Sequence, residues 1–362
     1  MRVVITHDFM ETYGGAERVT AEMARAFPDA PVVAITGRRE VARRMGIEDR
    51  FRCLVPERND VLRHYRVLAP AYPWLVDHLR LPAADVVLSS SYAFAHRLRS
   101  RSDARRVCYC HGPLRFAWSM TENYQREWAP GTMRGPMFKM FAAAMRRSDW
   151  RSAQGLDVYL TQSPFTAALI ERCYGRSAEV VGAPLDVGLF RPSGESPEDY
   201  FLLCGRLVEP YKRMEIVVRA FSKLPYRLLI AGSGPAYPRL RRLASGNVEF
   251  LGPLDDHELV PVMQRCRAAI FPSRDDFGLV PVEVMACGRP VIAYDQGGAR
   301  HTVRPGVTGE LFSAQTEEAV EEAVRAFDVD AYDSETIRQA VEQYDCGRFR
   351  SRLRDIVIQV LA

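Results

Sequence analysis

No apolar stretch of this chain approaches the roughly 20 residues that a bilayer-spanning helix requires, which sets helical membrane proteins aside. The amino terminus, MRVVITHDF, runs straight into a strand pattern without the basic, apolar and small-residue regions of a signal peptide, so a cytosolic protein is expected. Cysteine is thinly spread. Of eight, only Cys108 and Cys110 are close, on one side of a predicted strand, and no pair has zinc-site spacing; buried thiols are the expectation. An excess of one charge is also missing, because 49 basic residues face 45 acidic ones, a net +4 that offers no general field for nucleic acid. The D-x-D form at Asp328 to Asp330, one way to hold a metal, lies in an acidic stretch and reads as a solvated helix end, so no metal is expected. The glycine pair Gly14 and Gly15 is not a G-x-G-x-x-G loop, and no acid follows a second strand in the dinucleotide manner, which argues against a nicotinamide cofactor.

What is present is length and alternation. At 362 residues and 47% hydrophobic, the chain is too long for one core and rich enough for two. Apolar runs alternate with helical patterns, as parallel sheets with crossover helices require. Strands are predicted at 3–6, 86–89, 106–110, 158–161 and 179–181, then at 200–204, 227–231, 248–250, 269–271 and 291–293. Between the two sets lies RPSGESP, residues 191–197, dense in turn formers and read as the interdomain linker. The division expected is residues 1–190 as the first domain, 191–198 as linker and 199–346 as the second domain. The last stretch, 347–362, places Phe349, Leu353, Ile356 and Val360 at helical spacing and needs a partner surface.

The segment FPSRDDFGLVPVEVMACGRPVIAYD at 271–295 holds most of the chemistry. A buried strand ends at Phe271, Gly278 allows close backbone approach, and Pro281 suits the first turn of a helix ending near Gly288. The amides of Phe277, Gly278 and Leu279 then face a phosphate or sugar oxygen, because a helix start carries unpaired N–H groups and partial positive charge. Asp275 and Glu283, with seven residues between them, flank the spot and suit sugar or ribose hydroxyls. Upstream, GRLVEPYK at 205–212 follows a strand and offers Arg206 and Lys212 to a diphosphate. Gly14 and Gly15 sit between the first strand and a helix. HGPLRFAW at 111–118 follows another strand and supplies His111, with Arg115 and Trp118 either lining an acceptor or simply packing. AGSGP at 231–235 makes a turn at Gly232 compatible with nucleotide contact, whereas the strand ends at 89–92 and 162–163 receive no role.

These motifs resemble retaining glycosyltransferases of family 4, which have the GT-B fold. Asp275 and Glu283 match the family's E-x7-E signature with Asp in the first place, GRLVEPYK matches its GR-L-x-x-x-K element, and DFGLVPVEVMACGRPVIA is similar to the bacterial O-antigen and exopolysaccharide mannosyltransferase branch. The resemblance implies an α/β protein of two Rossmann-like domains facing a central cleft, with the terminal helix crossing back to the N-terminal domain. It implies a nucleotide sugar as co-substrate, GDP-mannose first, and a glycan or lipid-linked acceptor in surface polysaccharide synthesis. Arg206 and Lys212 would neutralise the diphosphate, Asp275 would hold sugar hydroxyls and Glu283 the ribose. Gly14, Gly15, Gly205, Gly232, Phe277, Gly278 and Leu279 would line the donor, and His111 would meet the donor sugar or the reacting face. A UDP-sugar transferase and a sugar-nucleotide epimerase of the same fold are the rival readings, and a non-catalytic sugar-nucleotide binder is a third.

Two basic stretches, 133–151 with Met137, Met140, Lys139 and Arg147, and 96–106, admit two readings: a peripheral contact with an anionic inner-membrane surface, or helices with solvated basic faces.

Overall fold

The computed structural model describes residues 1–55, 71–128 and 134–362. Two compact units emerge: Met1–Pro184 joined by Gly347–Ala362, and Leu185–Cys346. Residues 191–198 therefore lie inside the second unit.

The first unit is built on β1 (Val3–Met10), β2 (Val32–Gly37), β3 (Phe51–Cys53), β4 (Arg80–Leu81), β5 (Val86–Ser91), β6 (Arg99–Ser100), β7 (Arg105–Cys110), β8 (Val158–Thr161) and β9 (Glu179–Val180). Seven of these form one parallel sheet in the order β3-β2-β1-β5-β7-β8-β9, and β4 pairs with β6. Strands β1 and β5 are buried almost throughout, as expected for a parallel sheet covered on both faces. The order reverses between β1 and β5, and ligands of open α/β sheets collect at the carboxyl ends of strands on either side of such a reversal. The chain's last helix, Cys346–Leu361, belongs to this unit. Phe349, Leu353, Ile356 and Val357 are at most 3% exposed in the core cluster of Val3, Ile5 and Tyr109, and burying each contributes about 1.5–3 kcal/mol. Arg350 fixes the register through Glu22 Oε2 at 2.6 Å, and Arg354 Nε donates to the Ala26 carbonyl at 2.9 Å.

The second unit repeats the scheme with β10 (Tyr200–Cys204), β11 (Arg227–Ala231), β12 (Val248–Gly252), β13 (Ala269–Phe271), β14 (Val291–Tyr294) and β15 (Gly309–Phe312), all parallel in the order β12-β11-β10-β13-β14-β15. Its reversal lies between β10 and β13, so the turns after Cys204 and Phe271 leave the sheet side by side. Helix Leu279–Ala286 follows β13, with Gly278 as its N-cap at φ 83° and every residue from Pro281 to Ala286 buried. Sequence reading omitted β2, β3, β4, β6 and β15. The last four have two to four residues, too few for a period-2 pattern to show itself, whereas β2 is six residues long and its apolar run VVAI was passed over.

No helix among the described residues is long and apolar enough to cross a membrane.

Candidate active site

The second unit brings most of the predicted donor residues together. The turn after β10 begins at Gly205 (φ 134°), and the turn after β11 lies directly against it: a Cβ on Gly232 would sit 2.0 Å from the Gly205 carbonyl oxygen. Only glycine allows two backbones so close. The Gly205 N–H donates to the Ala231 carbonyl at 3.0 Å and the Leu207 N–H to the Ser233 carbonyl at 2.9 Å, which locks the two turns into one platform. From it Arg206 projects into solvent with no ion pair among the described residues, and Lys212, its N–H bonded to the Val208 carbonyl, turns toward the loop after β13.

There the Lys212 ammonium pairs with Asp275 Oδ2. Both side chains are largely enclosed, at 20% and 17% exposure, so the pair is screened less than a surface one. The other carboxylate oxygen, Asp275 Oδ1, is buried without a hydrogen-bond partner among the described residues. A buried acceptor left unsatisfied costs about 1–3 kcal/mol, which marks Oδ1 as a place for a donor from outside the chain. Phe277 is buried with its ring edge-on to Tyr344 at 5.2 Å. Leu279 opens the helix, and Glu283 lies one turn in, 5% exposed, close enough to help raise the thiol pKa of Cys204, a shift that burial dominates.

Sequence reasoning missed what holds this loop. Gly297 and Gly298, after β14, pack against its backbone: the Gly298 N–H donates to the Asp275 carbonyl at 2.8 Å, and a Cβ on Gly298 would lie 2.3 Å from Phe277 Cα. The signal was available as a glycine pair just past a strand end.

The first unit gathers a different set at its own reversal. His7, fully buried in β1, lies with Nε2 3.3 Å from Glu17 Oε1 and with Nδ1 3.1 Å from Ser90 Oγ and 3.0 Å from Thr20 Oγ1. Ser90 Oγ in turn lies 2.8 Å from His111 Nε2. Burial, with His7 and Arg115 nearby, pushes the His111 pKa down to about 3, so this ring is neutral at physiological pH. Beside it, Asp8 accepts four backbone N–H bonds from residues 92 to 95 at 2.5–2.9 Å, an anion cradle filled by the chain's own carboxylate.

Gly14 and Gly15 stand at the start of helix Gly15–Ala26, but the Gly14 N–H is donated to Glu17 Oε2 at 3.0 Å, so Glu17 takes the place foreseen for a phosphate at that amide. Trp118 is packed rather than presented. Its indole N–H donates to buried Asp149 at 2.8 Å, its ring meets Tyr174 edge-on, and Arg146 covers it. Arg115 is half-buried near His111. His7, Asp8 and Glu17 were not singled out from sequence, and Ser90 only as part of the strand end 89–92 that received no role, because each looks like an ordinary strand or helix residue until the sheet places them together.

Residues 13–187 match the family described as Glycosyltransferase Family 4, and residues 198–327 match the one described as Glycosyl transferases group 1. The D-inositol 3-phosphate glycosyltransferase of Mycobacterium marinum is 36% identical over 165 residues, which is 40% of this chain and 35% of that protein. That of Mycobacterium tuberculosis strain H37Ra is 37% identical over 157 residues, 37% of this chain and 32% of that protein. The match thus spans about a third of these relatives' length. HepE of Anabaena, solved with UDP, shares the fold with a TM-score of 0.73 at 17% identity, over 99% of this chain and 100% of that one. These findings support the family 4 glycosyltransferase reading and the GT-B fold of two Rossmann-like domains. They do not single out a mannosyltransferase branch.

Proposed function

We propose that this chain, which joins a Glycosyltransferase Family 4 domain to a Glycosyl transferases group 1 domain in the GT-B fold, is a retaining hexosyltransferase that draws on a nucleotide sugar. The observation that carries the reading is the Lys212–Asp275 pair with its one unpartnered carboxylate oxygen, set at the reversal of the second sheet beside a helix start. On donor binding, Lys212 exchanges Asp275 for the diphosphate, and Arg206 adds a second cation. Asp275 Oδ1 accepts a sugar hydroxyl, and Glu283 takes the ribose. The acceptor hydroxyl attacks the anomeric carbon on the face from which the diphosphate leaves. The bond to the diphosphate oxygen breaks as the new glycosidic bond forms, and the acceptor's proton passes to the departing phosphate. Lys212, Arg206 and the helix-start amides absorb the charge that builds there, so the reading calls for no metal.

GDP-mannose is the donor named first, on the segment DFGLVPVEVMACGRPVIA. A UDP-hexose is the second reading, favoured by the UDP-glucose complex of HepE, whose fold is shared. Melting the protein with GDP, GDP-mannose, UDP, UDP-glucose and NADH decides between them. A ligand at one hundred times its Kd adds about 2.7 kcal/mol. The guanine pair alone should raise the Tm; a rise with the uridine pair alone overturns the mannose reading, and no rise with any nucleotide sugar overturns the donor site.

The acceptor is a glycan or lipid-linked glycan of a surface polysaccharide, reached at an anionic membrane face. Helix Arg134–Ala153 supports this second part: Met137 and Met140 are 71% and 74% exposed beside exposed Lys139, Arg147 and Arg151, and its one acid with a described side chain, Asp149, is buried. Met133 and the side chain of Arg134, at the start of the predicted basic stretch, lie outside the described residues. In the other stretch Arg97 and Arg106 are turned inward, onto Asp77 and the Gly155 and His96 carbonyls. The protein should sediment with phosphatidylglycerol vesicles, and Met137→Asp with Met140→Asp should release it; equal sedimentation of the double variant would refute a membrane role for this helix.

A further inference from the structure

The Lys212–Asp275 pair joins two turns 63 residues apart, and a third turn bridges them. Gln315 follows β15 and immediately precedes Thr316, the N-cap of helix Glu317–Ala326, whose Oγ1 accepts from the Ala319 N–H at 3.3 Å; its side chain therefore springs from a fixed turn. The Gln315 Nε2 donates to the Pro272 carbonyl at 2.7 Å, just past β13. Its Oε1 accepts from Arg213 Nε at 3.4 Å, the looser of the two arms. Both partners dictate that orientation, because a carbonyl only accepts and a guanidinium only donates, so one amide serves both. We propose that Gln315 is a positioning residue which, by spanning Arg213 and Pro272, sets the separation of the Lys212 turn from the Asp275 loop and keeps the ammonium enclosed.

Three further observations fit. Arg213 is the one non-glycine residue with positive φ among the described residues, at φ 54° and ψ 28°. A side chain disfavours that backbone, so the reversal just after Lys212 persists only where its surroundings hold it. Gln315 holds it on one side, and on the other Glu209 Oε1, accepting from the Glu215 N–H at 2.9 Å, fixes the start of helix Met214–Phe221. The contacts Arg213–Gln315, Arg219–Glu317 at 3.6 Å and Lys223–Glu321 at 3.1 Å run in step along this helix and Glu317–Ala326, so the two lie side by side with their starts together. Pro272 is buried, and its carbonyl needs a donor within the fold, which Gln315 supplies. The effect of Gln315 on turnover rests on the hexosyltransferase reading, but its hold on Lys212 does not.

The test exploits a scarcity: Lys139, Lys212 and Lys223 are the only lysines among 49 basic residues. Full-length protein labelled with 15N-lysine therefore gives three ammonium signals in a 1H–15N spectrum at mildly acidic pH, without substrate, and Lys212 is the one that Lys212→Arg removes. In wild type its protons should exchange with water more slowly than those of exposed Lys139. Gln315→Ala should speed that exchange and lower kcat/KM, for the nucleotide sugar that raises the Tm, about tenfold, the scale of one lost hydrogen bond. Gln315→Glu keeps the length and the acceptor for Arg213 but offers Pro272 no donor, and should act in the same direction; as Gln315 is half-buried in a turn, both variants should fold. In a Lys212→Ala background Gln315→Ala should cost little more, because residues that act through one another are not additive. A wild-type Lys212 signal as labile as that of Lys139, or exchange unchanged in both Gln315 variants, overturns the proposal. So does a full tenfold further loss in the Lys212→Ala background, which a merely structural residue would give. Faster Lys212 exchange in the variants of a protein that transfers no hexose would leave the clamp standing and remove the hexosyltransferase reading instead.

Discussion

Lys212→Ala is expected to lower hexosyl transfer by about a hundredfold or more, the scale of losing one preorganised donor to a developing negative charge. The reason lies in the role proposed for Lys212 before and during reaction. At rest its ammonium is held by Asp275 Oδ2 in a largely enclosed site. As the bond to the diphosphate lengthens, the charge on the leaving oxygen grows, and an ammonium already inside the site meets it without drawing in water. Removing Lys212 takes away that cation and leaves the buried Asp275 carboxylate with neither oxygen paired, which repels an anionic donor as well. Both effects act in the same direction, so kcat/KM should fall further than kcat. Lys212→Arg keeps the charge but exchanges a point donor for a planar fork, and should recover only part of the loss. Circular dichroism should match wild type, because Lys212 lies in a turn outside the second unit's core cluster. Turnover of Lys212→Ala within a few-fold of wild type would remove the residue from the mechanism.

Much of this site could be read before any coordinates, for a local reason. GRLVEPYK and the segment around Asp275 each lie within one strand-turn-helix step, and the predicted bounds at 200–204, 227–231 and 269–271 coincide with β10, β11 and β13. Strand, turn glycine and helix start are set by neighbours a few residues apart. The pairing of Lys212 with Asp275 was not legible, since it depends on β10 and β13 being adjacent at the sheet's reversal, a contact across 63 residues. The same applies in the first unit. His7 and Ser90 stand in register across β1 and β5, yet nothing within either strand distinguishes them from other buried polar residues. At Trp118 the sequence left two roles open, acceptor contact and simple packing. Its neighbourhood to His111 could not choose between them, because the partner of its indole N–H, the buried carboxylate of Asp149, lies 31 residues away.

The second large effect should come from a residue that touches no substrate. Gly298→Ala is expected to abolish the nucleotide-dependent rise in Tm and to destabilise the protein by about 1–3 kcal/mol, the cost of forcing a methyl group into a packed position. Gly298 has ordinary helical dihedrals, φ −69° and ψ −33°, so alanine is not strained there by its own backbone. The obstacle is what lies above it. The new Cβ would stand 2.3 Å from Phe277 Cα and carbonyl oxygen and 2.5 Å from its carbonyl carbon, all main-chain atoms that cannot swing aside. Restoring contact distance requires the 275–278 loop to lift by about 1 Å, and a misplacement of that size is enough to cost a site most of its alignment. Asp275 then leaves Lys212, and the amides at the helix start no longer point to the place proposed for the diphosphate. Gly246→Ala, with nothing within 4 Å of the added carbon, is the control that should change neither property. Assayed well below its Tm, so that the unfolded fraction is negligible, Gly298→Ala should still lose transfer. Normal turnover there would show that the Asp275 loop tolerates displacement, and that the unpartnered Oδ1 is not aimed at the donor.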